Sequence, residues 1–332
     1  MRDAGGATTP RPRLLSAAGL LALLRERTII PLLVMLALLV GLSEVIRPGI
    51  VSANWTGVII RASIPLAILA GCQTITMLTG GIDLSVGAVA SMSGFFVATL
   101  VGDQGLFVAI LVALLLAAVV GLITGIGVGA LGVHPLIMTL GMGLVVLGFA
   151  NVWQVRNVQT GAGVPSQFRT LGADLTFNVV PVSLLVFVPV AILIIVGLNR
   201  TGFGRLLYAI GDNPVASRLS GARSWQVLIT LYVISAVLAA IAGFLLSGLT
   251  NVASVTLADT AVLPSVAAAV IGGTSILGGR GGYGGTIVGA LILTVISSIL
   301  SSLGYPEAVR QILFGSIIVF VAAAYTRITS TS

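Results

Sequence analysis

The sequence contains no lysine: all 16 of its basic residues are arginine, set against nine acids, one cysteine and one histidine in 332 positions. Each shortage excludes something. A GxxxxGK[ST] phosphate loop needs its lysine, so this chain cannot hydrolyse ATP by that machinery. Cys72 stands alone in an apolar run, which leaves no intrachain disulfide and no cysteine metal site, and reads as a small packing residue. His134, beside Pro135, cannot make an HExxH site or a histidine relay by itself and reads as an interfacial polar residue. No metal site and no bound cofactor are expected. The net charge of +7 does not point to nucleic acid, because the arginines are scattered in short segments and no soluble basic domain is left over.

What is present is apolar. Hydrophobic residues make up 57% and charged residues 8%, against roughly 25% charged in a soluble domain. Runs long enough to cross a hydrocarbon core recur along the chain. The expected fold is an all-α polytopic membrane protein of about ten transmembrane helices, at 28–46, 57–79, 86–102, 106–130, 135–153, 181–199, 226–248, 262–278, 284–303 and 309–326. The first run follows several arginines but has no clear small-residue cleavage pattern, so it reads as a helix and not a secretory signal. Residues 1–27 then form a tail, 28–326 one transmembrane domain and 327–332 a short end. Pro135 and Pro181 are expected in first turns, where a missing N–H costs nothing. Pro65 and Pro189 fall inside spans and predict kinks.

Arginine sets the expected orientation. With both termini cytoplasmic, the inner segments hold eleven arginines and the outer segments four, namely Arg47, Arg156, Arg169 and Arg310, as the positive-inside rule requires. Residues 154–180 become an outer loop and 200–225 the largest inner loop. Arg61 lies about one turn inside its span, where snorkelling to the headgroups or lining a pathway both fit.

Glycine is abundant, at 42 residues, and clusters at Gly80–Gly81 and from Gly272 to Gly285. Both clusters fall between spans, and whether they mark two related halves stays open. Asp83 follows the first pair and fits the N-cap of a helix beginning near Leu84. A capped helix start beside a break also offers free N–H groups to a polar solute. Candidate pathway residues are Gly80, Gly81, Asp83, Ser85, Asn151 and Asn251, positions that equally suit interface residues near span ends. In the inner loop Asn213 can cap a first turn, Pro214 suits the first helical position and Gly221 supplies a left-handed stop. Val215, Ala216 and Leu219 would give that short helix an apolar face, with Arg218 beside it.

Three segments carry a family resemblance. Gly80-Gly81-Ile82-Asp83-Leu84-Ser85-Val86-Gly87 resembles the most recognisable motif of the ribose-type permeases of bacterial ATP-binding-cassette importers. The run Ala209 to Gly221 is similar to the loop with which those permeases contact their ATPase, and Gly272 to Ala290 to their late glycine-rich segment. Asp212 where relatives often have Gly, Leu147 where many have Arg, and Ser297-Ser298-Ile299 in place of an Asn-Gly-like signature depart from the pattern and weaken transfer of a particular substrate. The resemblance implies a membrane-spanning permease subunit that passes a monosaccharide or related small polar solute. Its implied partners are a second permease (an identical copy or a close paralogue), two cytoplasmic ATPases that use ATP and Mg, an extracytoplasmic solute-binding protein and the bacterial inner membrane. Gly211, Asp212, Asn213, Pro214, Ala216, Arg218, Leu219 and Gly221 would form its ATPase-coupling segment. A nucleoside or signalling-sugar importer is the alternative, and a secondary transporter the rival class.

Single cysteines in residues 154–180, in a background with Cys72 replaced, should react with impermeant maleimide from outside the cell, while those in 200–225 should not. The reverse pattern would overturn the orientation.

Overall fold

The computed structural model describes residues 29–157 and 163–330, giving only the backbone for the last ten of these. The expected tail 1–27, residues 158–162 of the outer loop and residues 331–332 lie outside it. The described chain is built from helices: α1 (Ile29–Ile46), α2 (Ala53–Met77), α3 (Val86–Gln104), α4 (Leu106–Gly129), α5 (Pro135–Asn157), α6 (Ser166–Ala173), α7 (Leu184–Arg200), α8 (Gly202–Asp212), α9 (Pro214–Leu219), α10 (Ser224–Thr250), α11 (Val262–Ile271), α12 (Tyr283–Ser302) and α13 (Glu307–Ser330). A two-residue antiparallel pair, β1 (Leu175–Thr176) and β2 (Val180–Pro181), follows α6. Among the described residues seven helices are long and apolar enough to cross a membrane, or eight if α7 and α8, bent by 67°, count as one span.

Helix α10 is the hub. It packs along α2, α3 and α4 and is crossed at its far end by α6, while α12 joins α1, α2 and α11. Small residues bring these helices to backbone contact. In α4 they recur every four positions: Ala109, Ala113 and Ala117 are fully buried, and Gly121, Gly125 and Gly129 continue the line. A Cβ at Gly121 would sit 2.5 Å from the Tyr232 carbonyl oxygen, at Gly125 2.6 Å from the Ile229 Cα and at Gly129 2.8 Å from the Trp225 carbonyl oxygen. On other sides of α10 a side chain at Gly243 would collide with the Ala90 carbonyl of α3, and one at Gly248 with the Phe168 carbonyl of α6. Lipid supplies no hydrophobic force between membrane helices, so close packing across small residues has to hold them.

Two expectations need correction. The span placed at 262–278 is not one helix of spanning length: α11 has ten residues, about 15 Å. It stops because Gly273 turns left-handed at φ +91° and the Gly273 and Thr274 amides fold back onto the Val270 and Ala269 carbonyls, the Schellman ending. Pro181 is not in a first turn either. It belongs to β2, and α7 begins three residues later because the hairpin claims the chain up to that point. Pro65 and Pro189 do lie inside helices. Arg61 is held by protein, donating from Nη1 to the Ala173 carbonyl at the end of α6.

Gly125→Leu should drive α4 off α10 and cost about 1–3 kcal/mol or more of overpacking, read as a lowered Tm and poor recovery of monodisperse protein. Gly141→Leu, on an exposed α5 position with nothing within 4 Å, should leave the melt unchanged. Equal behaviour of the two variants would refute the packing assignment.

Candidate translocation and coupling site

The first glycine break closes as the second does. Gly80 is left-handed at φ +78°, its amide bonds the Met77 carbonyl, and the Gly81 amide bonds the Thr76 carbonyl. Beyond this cap, residues 82–85 run without regular structure before α3 begins. Irregular backbone between membrane helices must find polar partners within the protein, and two side chains supply them. Gln73 brackets Asp83, its Nε2 donating to the Asp83 carbonyl at 2.8 Å and its Oε1 accepting from the Asp83 amide at 3.2 Å. Thr139 of α5 does the same one step outward, donating to the Ile82 carbonyl and accepting from the Leu84 amide, both at 3.1 Å.

The Asp83 side chain is 2% exposed. Its Oδ1 accepts from the Ser85 amide at 3.0 Å and the Ser85 hydroxyl at 2.6 Å, and its Oδ2 from the Ser235 hydroxyl of α10 at 2.9 Å. The expected N-cap is displaced: the carboxylate holds the turn ahead of α3, which starts at Val86 with no side-chain cap of its own. No cation pairs with Asp83 among the described residues. The Cys72 thiol bonds the Ile68 and Ser235 carbonyls, consistent with packing, and the Tyr232 hydroxyl lies buried beside Gly81 without a hydrogen-bond partner among the described residues.

Asn151 and Asn251 do not join this cluster. Asn151 is exposed on α5, twelve residues or about 18 Å of helix beyond Thr139, and Asn251 is the exposed left-handed cap ending α10, about 24 Å along from Ser235. Gly80, Gly81, Asp83 and Ser85 are together. Gln73, Thr139 and Ser235 were not legible as site residues, because each acts across a sequence gap that only the fold closes. A further cleft of about 280 Å³ is lined by Asp259, Thr260, Leu263 and Pro264 around the start of α11 and by Gln311 and Phe314 of α13.

All three motif segments meet at one end of the bundle. The Gly279 amide donates to the Leu78 carbonyl at 3.0 Å, tying the second glycine segment to the end of α2. Gly211, at the end of α8, fits between them: a side chain there would collide with the Leu78 carbonyl and lie 2.5 Å from the Gly279 nitrogen. Asp212 abuts Gly279, and the Tyr208 hydroxyl donates to the Gly281 carbonyl at 2.9 Å. From this junction α9 projects. Asn213 Oδ1 accepts the Val215 and Ala216 amides, Pro214 opens the helix, and Gly221 closes it at φ +87°. Ser217 is turned inward, while Val215 is 60% and Leu219 84% exposed, with Ala216 and Arg218 exposed beside them. A short capped helix thus presents an apolar face outward while its root is locked to both breaks.

Residues 56–322 match the family model described as branched-chain amino acid transport system / permease component. The chain belongs to this permease family. The permease is 32% identical to the fructose import permease protein FrcC of Rhizobium meliloti, over 89% of this chain and 84% of that one. It is 33% identical to the ribose import permease protein RbsC of Escherichia coli (strain K12), over 90% and 92%. To the galactose/methyl galactoside import permease protein MglC of Haemophilus influenzae it is 29% identical, over 81% and 85%. No solved structure matches the permease.

Gln73→Met should orphan both backbone groups of Asp83, and Thr139→Val those on either side, each buried group costing about 1–3 kcal/mol. Both variants should melt well below the parent, whereas Gln226→Met, at an exposed site, should not. Parental melting of Gln73→Met would show that the bracket does not hold the break.

Proposed function

We propose that this permease forms the translocation pathway of an ATP-driven importer for a monosaccharide or closely related polar solute. The observation that carries the coupling half of this reading is the glycine junction: Gly211 joins the root of α9 to both breaks with no side chain between them. Force applied to the exposed face of α9 has a backbone route into the bundle. Val215, Ala216 and Leu219 fit a groove on a cytoplasmic ATPase, with Arg218 as the polar contact. The solute reading draws on the named relatives, which import ribose, fructose and galactose. The chemistry of the bundle agrees: an amino acid would bring two charges needing partners in the membrane, and the carboxylate of Asp83 is already engaged by Ser85 and Ser235.

The proposed orientation puts α8, α9 and both glycine breaks at the cytoplasmic face and α6 with its hairpin at the outer face, where a solute-binding protein would deliver cargo. The assembly is two permeases, two ATPases and one binding protein in the bacterial inner membrane. Gly80, Gly81, Asp83 and Ser85 shape the inner gate, and Asn151 and Asn251 stand toward the outer mouth.

Co-reconstitution with the cognate ATPase and binding protein should give ATP-dependent uptake from a panel of sugars, polyols and nucleosides, with a monosaccharide preferred. Ion-driven uptake by the permease alone would overturn the reading. Ala216→Glu, outside the hydrocarbon, should leave the permease inserted but abolish ATPase co-purification and uptake. Normal values for both would remove α9 from the coupling role.

A further inference from the structure

A cavity of about 840 Å³ lies between the end of α4, Ile210 of α8, α9, the loop after α9 and the start of α10. Its lining is divided by chemistry. Val128 and Leu228 supply apolar walls, Arg218 and Arg223 supply two guanidinium groups, and Trp225 stands at the rim, 48% exposed. Among the described residues no acid lines it and neither arginine forms an ion pair. Arg218 uses only its Nε, on the Pro214 carbonyl. Arg223 stands at the N-cap of α10 without capping it by its side chain, and the neighbouring Ser224 Oγ is buried with no hydrogen-bond partner. No side chain caps this 27-residue helix; its Ser224 and Gln226 amides bond the Ala222 and Arg223 carbonyls, and its positive end favours negative charge. At the facing end of α4 the Ile126 carbonyl is taken up by the Ala130 and Leu131 amides and the Gly127 carbonyl by the Val133 amide, so the two arginines supply the positive charge of the cavity.

We infer that this cavity binds the headgroup of an anionic phospholipid from the cytoplasmic leaflet, its phosphate between Arg218 and Arg223 and its acyl chains along α4. Two features select a lipid over a soluble anion or a protein carboxylate. Val128 and Leu228 place apolar walls beside the arginines, and the preceding turns of α4 expose Leu122, Ile123 and Ile126 on another face of the helix, where acyl chains would lie. Trp225 marks the headgroup level, where indole rings settle, and basic pockets between helices on the cytoplasmic side suit anionic headgroups. The inference rests on the proposed orientation. Because Arg218 also belongs to the exposed face of α9, a bound headgroup would bias the position of the coupling helix.

The test uses the full-length permease in nanodiscs of phosphatidylethanolamine with a minority of phosphatidylglycerol, and reads retained lipid by native mass spectrometry. The parent should retain phosphatidylglycerol selectively. Arg223→Gln should lower that retention about fivefold, the weight of one arginine at an anionic surface, while Arg156→Gln, at the opposite end of the bundle, should not. Equal retention by the parent and Arg223→Gln overturns the assignment, as does displacement of the lipid by soluble glycerol phosphate at matching concentration. If Arg223→Gln instead releases the ATPase subunits and leaves lipid retention unchanged, the cavity is a protein-docking surface and the lipid assignment fails. Retention is measured without the ATPase, so failure of the importer reading would not disturb it.

Discussion

Backbone-to-backbone approach around α10 is the constraint on which the other features depend. Where a Cβ at Gly125 would lie 2.6 Å from a main-chain atom of α10, no side chain stands between the helices to change rotamer and absorb a displacement. Packed interfaces of this kind shift between discrete arrangements and do not deform continuously. The same closeness brings α3, α4 and α6 onto α10 and so places Ser235 within reach of Asp83. The polar cluster at the first break is a consequence of the small-residue packing.

The break raises a second problem, which the protein solves without a cation. Beyond the glycine cap, residues 82–85 run without regular structure before α3, and their polar groups are met by an amide, a threonine and the Asp83 carboxylate. None of these bonds involves a cation. A break held by single hydrogen bonds, each worth about 0.5–1.5 kcal/mol net between neutral groups and about 1.5–3 kcal/mol at a carboxylate, can be remade one bond at a time. A buried ion pair would be far costlier to part. The scarcity of charge seen in the composition therefore reaches into the site.

How much of this was legible in the sequence depends on the range of each interaction. Asn213, Pro214 and Gly221 act within two turns, and the structure gives each the local role its residue type implies. The helices of the bundle follow from apolar runs. Span 262–278 misled because a hydropathy window scores Gly272 and Gly273 as neutral, whereas backbone geometry makes them a stop. The four-residue spacing from Ala109 to Gly129 stands in the sequence, but nothing local says that α10 is its partner. Gln73 and Ser235 could not be found by any local signal: their role exists only once residues 10 and 152 positions apart have been brought together.

The two glycine breaks resemble each other more in structure than in sequence. Each ends a helix with a left-handed glycine and the same pair of amide bonds, three and five residues back, although little beyond glycine is shared between them. The bond from Gly279 to Leu78 then joins one break to the other, and Gly211 seats against both. With α8 set at 67° to α7 by the Thr201 cap, whose hydroxyl accepts the Gly204 amide, the segment from α8 through α9 does not simply extend a membrane helix. It is rooted at the glycines, and a side chain at Gly211 would collide with the Leu78 carbonyl and the Gly279 nitrogen that it seats against.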